Sequence, residues 1–259
     1  MPVSHWLLRF LSVAAITLEV CCYDIESAIN AMEGGADRVE LCADRHLGGT
    51  TPSYGTMEVV RKHLNIPVFA MIRPRGGDFL YSAQEVEAMM FDIQMAKELG
   101  MEGVVLGALT KYGQVNAEAI KPLIEIARPM QVTFHRAFDL TPDATKSMEI
   151  LISLGVDRVL TSGQANTVAE GVDVLKQLVE VADGKITIMP GAGFNEENIV
   201  EILRKTKATE CHVSASGTRP SHMEYQHQGV LMGDAQSEYS LTIADPNRVK
   251  NYQALLETV

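Results

Sequence analysis

Eight short apolar runs separated by helical patterns are the feature that most restricts how this chain can fold. They occupy residues 17–21, 38–42, 68–72, 103–107, 131–135, 158–161, 185–190 and 210–214. Strands that alternate with helices along a chain pair in parallel, and eight such units close into a barrel. The sequence therefore predicts the α/β class, as a single-domain (β/α)8 TIM barrel of parallel strands.

The segments between the runs begin with residues that cap helices. Ser82 and Glu85 have the spacing of a capping box, and Asp245 stands before Pro246 at the start of the last helical pattern. The chain has 259 residues, 46% of them hydrophobic, which suits one barrel with a large core. We expect the barrel domain to occupy residues 17–259.

Two segments lie outside this alternation. Residues 1–16 include an apolar stretch from Trp6 to Ala15 that resembles a signal-peptide core, but Arg9 interrupts it. The first strand follows almost at once, so we interpret this segment as an N-terminal extension. Residues 217–244 form a long polar loop after strand eight, with the length of a lid or a subunit contact. A homo-oligomer would fit such a loop.

Charge and cysteine content restrict the partners and the compartment. The formal net charge of −11 argues against nucleic acid or an anionic membrane, which bind clustered Lys and Arg. No stretch is long and apolar enough to span a membrane, which takes about 20 residues. Four cysteines are too few for a disulfide scaffold, so we expect a reducing, cytoplasmic location. Cys22 and Cys211 are predicted to face the helices as small hydrophobes.

Charged and soft side chains fall at the carboxyl ends of the strands, where barrels carry their functional residues. In strand one, Glu19 and Cys21 lie on the face opposite Leu18. Glu40 and Cys42 repeat this arrangement in strand two. Alternation predicts that the following residues face the barrel interior: Glu19, Cys21, Glu40, Cys42, Arg73, His135, Thr161, His212 and Ser214.

One interpretation of this rim is a metal site. Neighbouring parallel strands lie about 4.8 Å apart, so Cys21 and Cys42 could bind one ion between them. Soft thiolates suit Cu(I) above all, and zinc if histidines join.

The other interpretation is an anion site with catalytic groups around it. Barrels commonly bind phosphate in the loops after strands seven and eight, through backbone amides. The candidate anion-binding residues are Gly191, Gly193, Ser214 and Ser216. The candidate catalytic residues are Glu19, Glu40, Arg73 and His135. Together they would suit an isomerase, epimerase or lyase acting on a small anionic or phosphorylated metabolite.

Several strings resemble the CutC copper homeostasis family. They include MIRPRGGDF at residues 71–79, TFHRAFD at 133–139 and MPGAG at 189–193, and the likeness extends from about residue 17 onward. The resemblance implies a cytoplasmic TIM barrel linked to copper handling, with the family's proposed copper ligands at Cys21 and Cys42. Tyr23, where an acidic residue can stand, and the loop at 43–47 depart from the family pattern. The resemblance favours Cu(I) binding or handling as the function, with the enzyme as the alternative.

Overall fold

The computed structural model describes residues 16–227, 229–230, 232 and 238–259. The apolar stretch from Trp6 to Ala15, predicted to be part of an N-terminal extension, lies outside the described residues. So do seven positions of the long polar loop, 228, 231 and 233–237.

Eight parallel strands form one sheet in the order β7-β6-β5-β4-β3-β2-β1-β8. They are β1 (Thr17–Cys22), β2 (Arg38–Leu41), β3 (Val68–Met71), β4 (Gly103–Leu106), β5 (Gln131–Phe134), β6 (Arg158–Thr161), β7 (Thr187–Pro190) and β8 (Glu210–Val213). A parallel bridge between Gly191 and His212 joins the two outer strands of this order, which closes the barrel. The predicted fold class is confirmed.

A helix follows each strand and covers its outer face. The helices are α1 (Ile25–Glu33), α2 (Tyr54–His63), α3 (Ala83–Glu98), α4 (Ala117–Ala127), α5 (Ala144–Ser153), α6 (Val172–Ala182), α7 (Ile199–Thr206) and α8 (Pro246–Leu256). The capping box of α3 is formed, since the Glu85 amide donates to Ser82 Oγ and the Ser82 amide donates to Glu85 Oε2. None of the helices in the described part of the chain combines the length and apolar character needed to cross a membrane.

The floor of the barrel is a buried ion network of four charged residues, Glu19, Arg38, Arg158 and Glu210. Arg38 donates to Glu19 Oε2 and to Glu210 Oε2, each at 2.5 Å. Arg158 donates to the same Glu210 oxygen at 2.5 Å. Both guanidinium groups lie over the ring of Phe69, at 4.8 and 5.3 Å from its centroid. Opposite charges in direct contact are what make such burial tolerable, and this network fixes the position of Glu19.

The long polar loop after β8 begins and ends in an antiparallel ribbon that the sequence analysis did not predict. Strands β9 (Ser216–Pro220) and β10 (Ser240–Ala244) pair from Ser216 to Ala244. Arg219 of this ribbon forms an ion pair with Glu26 of α1 at 2.5 Å. The ribbon is thereby attached to the first helix, beside the carboxyl ends of β1 and β8.

Candidate metal and ligand site at the barrel mouth

A cavity of about 270 Å³ opens at the carboxyl ends of the strands. Seven of the residues predicted for this rim line the cavity, namely Cys21, Glu40, Arg73, His135, Gly193, His212 and Ser214. Glu19 and Cys42 are buried directly behind the lining, in contact with His212 and Cys21 respectively. The structure therefore brings most of the candidate residues into one site.

Cys21 and Cys42 form a buried pair between adjacent strands. The pairing of β1 with β2 sets Cys21 opposite Glu40, and the Cys42 amide continues the ladder by donating to the Cys22 carbonyl. The two Sγ atoms are 4.0 Å apart. Gly49 passes close over Cys42, since a Cβ at Gly49 would lie 3.1 Å from the sulfur, and its φ of +93° favours glycine as well.

The two thiols differ in acidity. A hydrogen bond from Cys42 lowers the pKa of Cys21 well below its usual range. The same hydrogen bond, together with burial, raises the pKa of Cys42 well above its usual range. The pair is therefore best described as a Cys21 thiolate that accepts a hydrogen bond from the Cys42 thiol.

His212 places a positive charge beside that thiolate. Its Nδ1 is 2.7 Å from Glu19 Oε1, and its Nε2 is 3.8 Å from Glu40 Oε2. Burial alone would lower the pKa of His212, but the Glu40 carboxyl and hydrogen bonds to Cys21 and Glu19 outweigh it and raise the pKa well above its usual range. Glu19 stays ionised, because Arg38 and His212 overcome its burial and lower its pKa to about 2.

Glu40 lies between the thiols and the cavity. Burial raises its pKa well above the usual range, and the negative charge of Cys21 adds to the effect. Its Oε2 is 3.5 Å from Cys42 Sγ, while its Oε1 is buried without a hydrogen-bond partner. Donor atoms of Cys21, Glu40 and Cys42 all lie within 4.8 Å of one another, as do those of Glu19, Glu40 and His212. Either group has the compactness of a metal-binding cluster.

Arg73 is buried at the edge of the cavity without a carboxylate partner. Its Nη1 donates to the carbonyl oxygens of Leu47 and Gly49, at 2.6 and 2.8 Å, and its Nη2 donates to that of Gly77 at 3.0 Å. Its Nε is buried with no acceptor. Within the described residues no Asp or Glu forms an ion pair with it, so Arg73 does not neutralise Glu40.

His135 is a buried neutral ring. Its Nδ1 accepts a hydrogen bond from the Ala137 amide at 3.2 Å, which requires that the proton of the neutral ring sit on Nε2. Burial, and then the charge of Arg73, lower the pKa of His135 to about 3. The Nε2 atom is buried and has no hydrogen-bond partner.

Two of the four candidate anion-binding residues line the cavity and two do not. Gly193 and Ser214 line the cavity, at its exposed rim. Gly191 is packed inside the barrel wall, where a Cβ would lie 2.5 Å from Leu160 Cδ1. Ser216 begins β9, and its hydroxyl accepts a hydrogen bond from Arg45 at 2.6 Å. Only Gly193 and Ser214 are therefore positioned to contact a molecule in the cavity.

Thr161 was expected to face the interior, and this expectation is wrong. In β6 the inward positions belong to Arg158 and Leu160, so Thr161 falls on the opposite face. Its hydroxyl donates instead to Asp139 at 2.5 Å.

The sequence analysis also missed the cavity residues Tyr23, Phe79, Arg136 and Phe194. Tyr23, Phe79 and Phe194 lie in loops, and Arg136 begins a short 3-10 helix, Arg136–Leu140. Phe79 and Arg136 stand within the strings at 71–79 and 133–139, which is the signal that could have identified them.

The CutC family model matches residues 16–217 of this chain. A copper homeostasis protein cutC homolog from Homo sapiens is 48% identical over 244 residues, covering 93% of this chain and 89% of that protein. A family protein CutC from Vibrio campbellii is 49% identical over 237 residues, covering 90% and 96%.

Solved structures agree with the fold. A copper homeostasis protein CutC from Streptococcus agalactiae matches with a TM-score of 0.74 and 37% identity, over 77% of this chain and 98% of that one. A thiamine phosphate pyrophosphorylase from Pyrococcus furiosus matches with a TM-score of 0.59 at 18% identity, over 94% and 96%. The second likeness concerns the fold alone.

Proposed function

The chain belongs to the CutC family, and from that premise we propose that it binds Cu(I) between Cys21 and Cys42 as part of copper homeostasis. The observation that carries this proposal is the 4.0 Å separation of the two sulfur atoms. Metal–sulfur bonds of about 2.3 Å, taken by analogy with zinc, let two sulfurs as far apart as about 4.6 Å share one ion. Both sulfurs can therefore reach the same ion from where they lie.

The choice of Cu(I) follows from the donor atoms. Two thiolates are soft ligands, which suit Cu(I), whereas a carboxylate oxygen is a hard ligand. We therefore assign the ion to the sulfurs of Cys21 and Cys42, and we treat the Glu40 carboxyl group, whose Oε2 is 3.5 Å from Cys42 Sγ, as a neighbour of the site and not as a ligand. Cys21 lines the cavity and Cys42 lies behind it, so an ion would arrive through the mouth and meet Cys21 first.

The distribution of protons also favours a cation. The pKa of Cys21 is lowered well below its usual range while that of Cys42 is raised, so Cys21 gives up its proton to an arriving ion more readily than Cys42 does. His212 stabilises the thiolate and is itself held by Glu19, which makes both of them positioning residues for this site.

The state of the cysteines supports a reducing, cytoplasmic location. All four are free and buried, and Cys21 and Cys42 keep separate sulfur atoms although they are neighbours. A site that depends on two free thiols requires a compartment that keeps them reduced.

The test is a Cu(I) titration without oxygen, against a chromophoric Cu(I) chelator as competitor. The wild-type chain should take up one ion, and the double variant Cys21→Ser with Cys42→Ser should take up none. Cys22→Ala is the matched control, because Cys22 adjoins Cys21 in sequence but packs in the core on the opposite face. Undiminished copper uptake by the double variant would disprove the two-cysteine site.

A further inference from the structure

We propose that the barrel mouth also binds a small organic anion, a carboxylate or a phosphate monoester, held by Arg73 and His135. This site is distinct from the pair of thiols and does not rest on the copper proposal. Three independent features carry it: an uncompensated buried charge, an unused buried donor, and an apolar wall that both residues share.

The first feature is the charge of Arg73. The residue is only 6% exposed, and it faces the cavity. Its partners are three carbonyl oxygens, which fix the guanidinium in place but do not neutralise it. A buried charge is costly unless an opposite charge compensates it. In the described part of the chain that opposite charge is missing, so a ligand anion in the cavity is the natural counter-ion.

Copper does not account for this arginine. A fixed positive charge at the cavity wall repels a cation on its way to Cys21, and it contributes no donor electrons to a metal ion. Arg73 anchors the loops around the mouth through its bonds to backbone carbonyls, but its positive charge serves no cation, whereas an anion gains from that charge directly.

The second feature is the Nε2–H group of His135. The residue is 4% exposed and lines the cavity, and its Nε2–H has no acceptor among the described residues. Leaving a buried donor without an acceptor costs about 1–3 kcal/mol. An oxygen of a carboxylate or phosphate group would satisfy this donor. Because the Ala137 amide fixes the tautomer, the group stays a donor.

The third feature is the surface between these two groups. The centroid of the Phe79 ring lies 5.0 Å from the guanidinium carbon of Arg73 and 4.9 Å from the centroid of the His135 ring. One aromatic side chain therefore packs against both residues. Met71 and Leu160 continue this apolar lining. A bare inorganic ion would leave that wall uncovered, so the occupant carries an apolar part beside its anionic group.

The size of the cavity limits the occupant. At about 270 Å³ it lies below the ~300–1,000 Å³ of pockets for drug-sized ligands. A nucleotide could place only part of its surface inside the cavity. A compact carboxylate or phosphate monoester with one small apolar group matches both the volume and the lining.

The experiment measures binding of benzoate and phenyl phosphate to the copper-free full-length chain by calorimetry and thermal shift. Benzamide and phenol are the neutral counterparts of these probes. At least one anion should bind and raise the melting temperature by mass action, and the neutral counterparts should not. The two anions also separate a carboxylate site from a phosphate site. If neither anion binds at millimolar concentration, the proposal is wrong.

Arg73→Gln should weaken binding of that anion by at least about tenfold, the loss expected for a charged hydrogen bond. Arg75→Gln is the matched control, since Arg75 lies in the same loop but is 39% exposed and already paired with Glu85 and Asp78. It should bind within about twofold of the wild type. Equal losses in both variants would show attraction to a general positive surface and would overturn the site.

His135→Asn keeps the test valid if Arg73→Gln fails to fold. The Asn oxygen can replace Nδ1 as acceptor for the Ala137 amide, but the variant lacks the Nε2–H donor. It should bind the anion about threefold to tenfold more weakly, as for one neutral hydrogen bond.

The double variant Cys21→Ser with Cys42→Ser should bind the anion as tightly as the wild type does. Unchanged binding in His135→Asn, or loss of binding in the cysteine variant, would contradict the proposed site.

Discussion

The floor and the mouth of the barrel differ in whether their buried polar groups have hydrogen-bond partners. On the floor, Arg38 and Arg158 each contact a carboxylate oxygen at 2.5 Å. At the mouth, Arg73, Glu40 and His135 each keep a buried atom without a partner. Both regions are equally enclosed, so burial alone does not distinguish them. The difference lies in hydrogen bonding: the charged groups of the floor all have partners, whereas three polar groups of the mouth each keep a buried atom without one.

The largest expected effect is a change of folding stability with pH that arises from His135 at the mouth. Unfolded His135 takes up a proton near pH 6.5, but the buried ring does so only near pH 3. The folded pKa of this base is depressed, so its contribution to stability is full above pH 6.5 and is lost as pH falls towards 3. The loss is roughly 4–5 kcal/mol.

His135→Asn removes this dependence. Urea unfolding of the wild type and the variant, measured from pH 7 to pH 3, should give stability curves that converge as the pH falls. Two curves that stay parallel across this range would show that His135 is protonated as readily when folded as when unfolded.

A smaller effect of about 3–5 kcal/mol is expected on the floor, where Arg38→Met leaves the charges of Glu19 and Glu210 without one of their partners. The free energy of unfolding in urea at neutral pH measures the loss. Lys62→Met is the control, because its ion pair with Glu58 is on the surface and its loss should leave the free energy of unfolding nearly unchanged. A floor variant as stable as the surface variant would remove the contrast between the two regions.

The smallest effect is expected for Glu40→Gln at the mouth. Burial raises the pKa of Glu40 well above its usual range, which favours the neutral carboxyl group, and an amide matches that group in shape and charge. The free energy of unfolding at neutral pH should change by less than about 1 kcal/mol. A large change would mean that Glu40 is ionised and belongs with the paired charges of the floor. Circular dichroism during urea unfolding is sufficient to decide between these outcomes.

The sequence predicted those features that depend only on residues close together in the chain. Alternation predicted that Glu19 and Cys21 share a face, and helix-capping residues located helix starts such as Ser82. The prediction from alternation was wrong for Thr161. Strand β6 is only four residues long, and a shift of one position turns each side chain to the other face.

What could not be predicted depends on contacts between distant residues. Arg38 and Glu210 are 172 residues apart in the chain, and no local pattern relates them. Phe79 reaches the cavity from a loop whose path is set by the bonds of Arg73 to the neighbouring backbone. The ribbon of β9 and β10 was not predicted because β9 contains glycine and proline, which are depleted in strands. The sequence thus predicted which residues form the rim, but not which of them lack partners.

Gly49 belongs to both sites at once. Its carbonyl oxygen accepts a hydrogen bond from Arg73, and a Cβ added at Gly49 would lie 3.1 Å from the sulfur of Cys42. An anion bound to Arg73 and an ion bound to Cys42 would therefore both bear on the same stretch of backbone. Thermodynamic linkage then requires that copper alter the affinity for the anion by the same factor by which the anion alters the affinity for copper. The short loop over Cys42 would then link the two proposed sites.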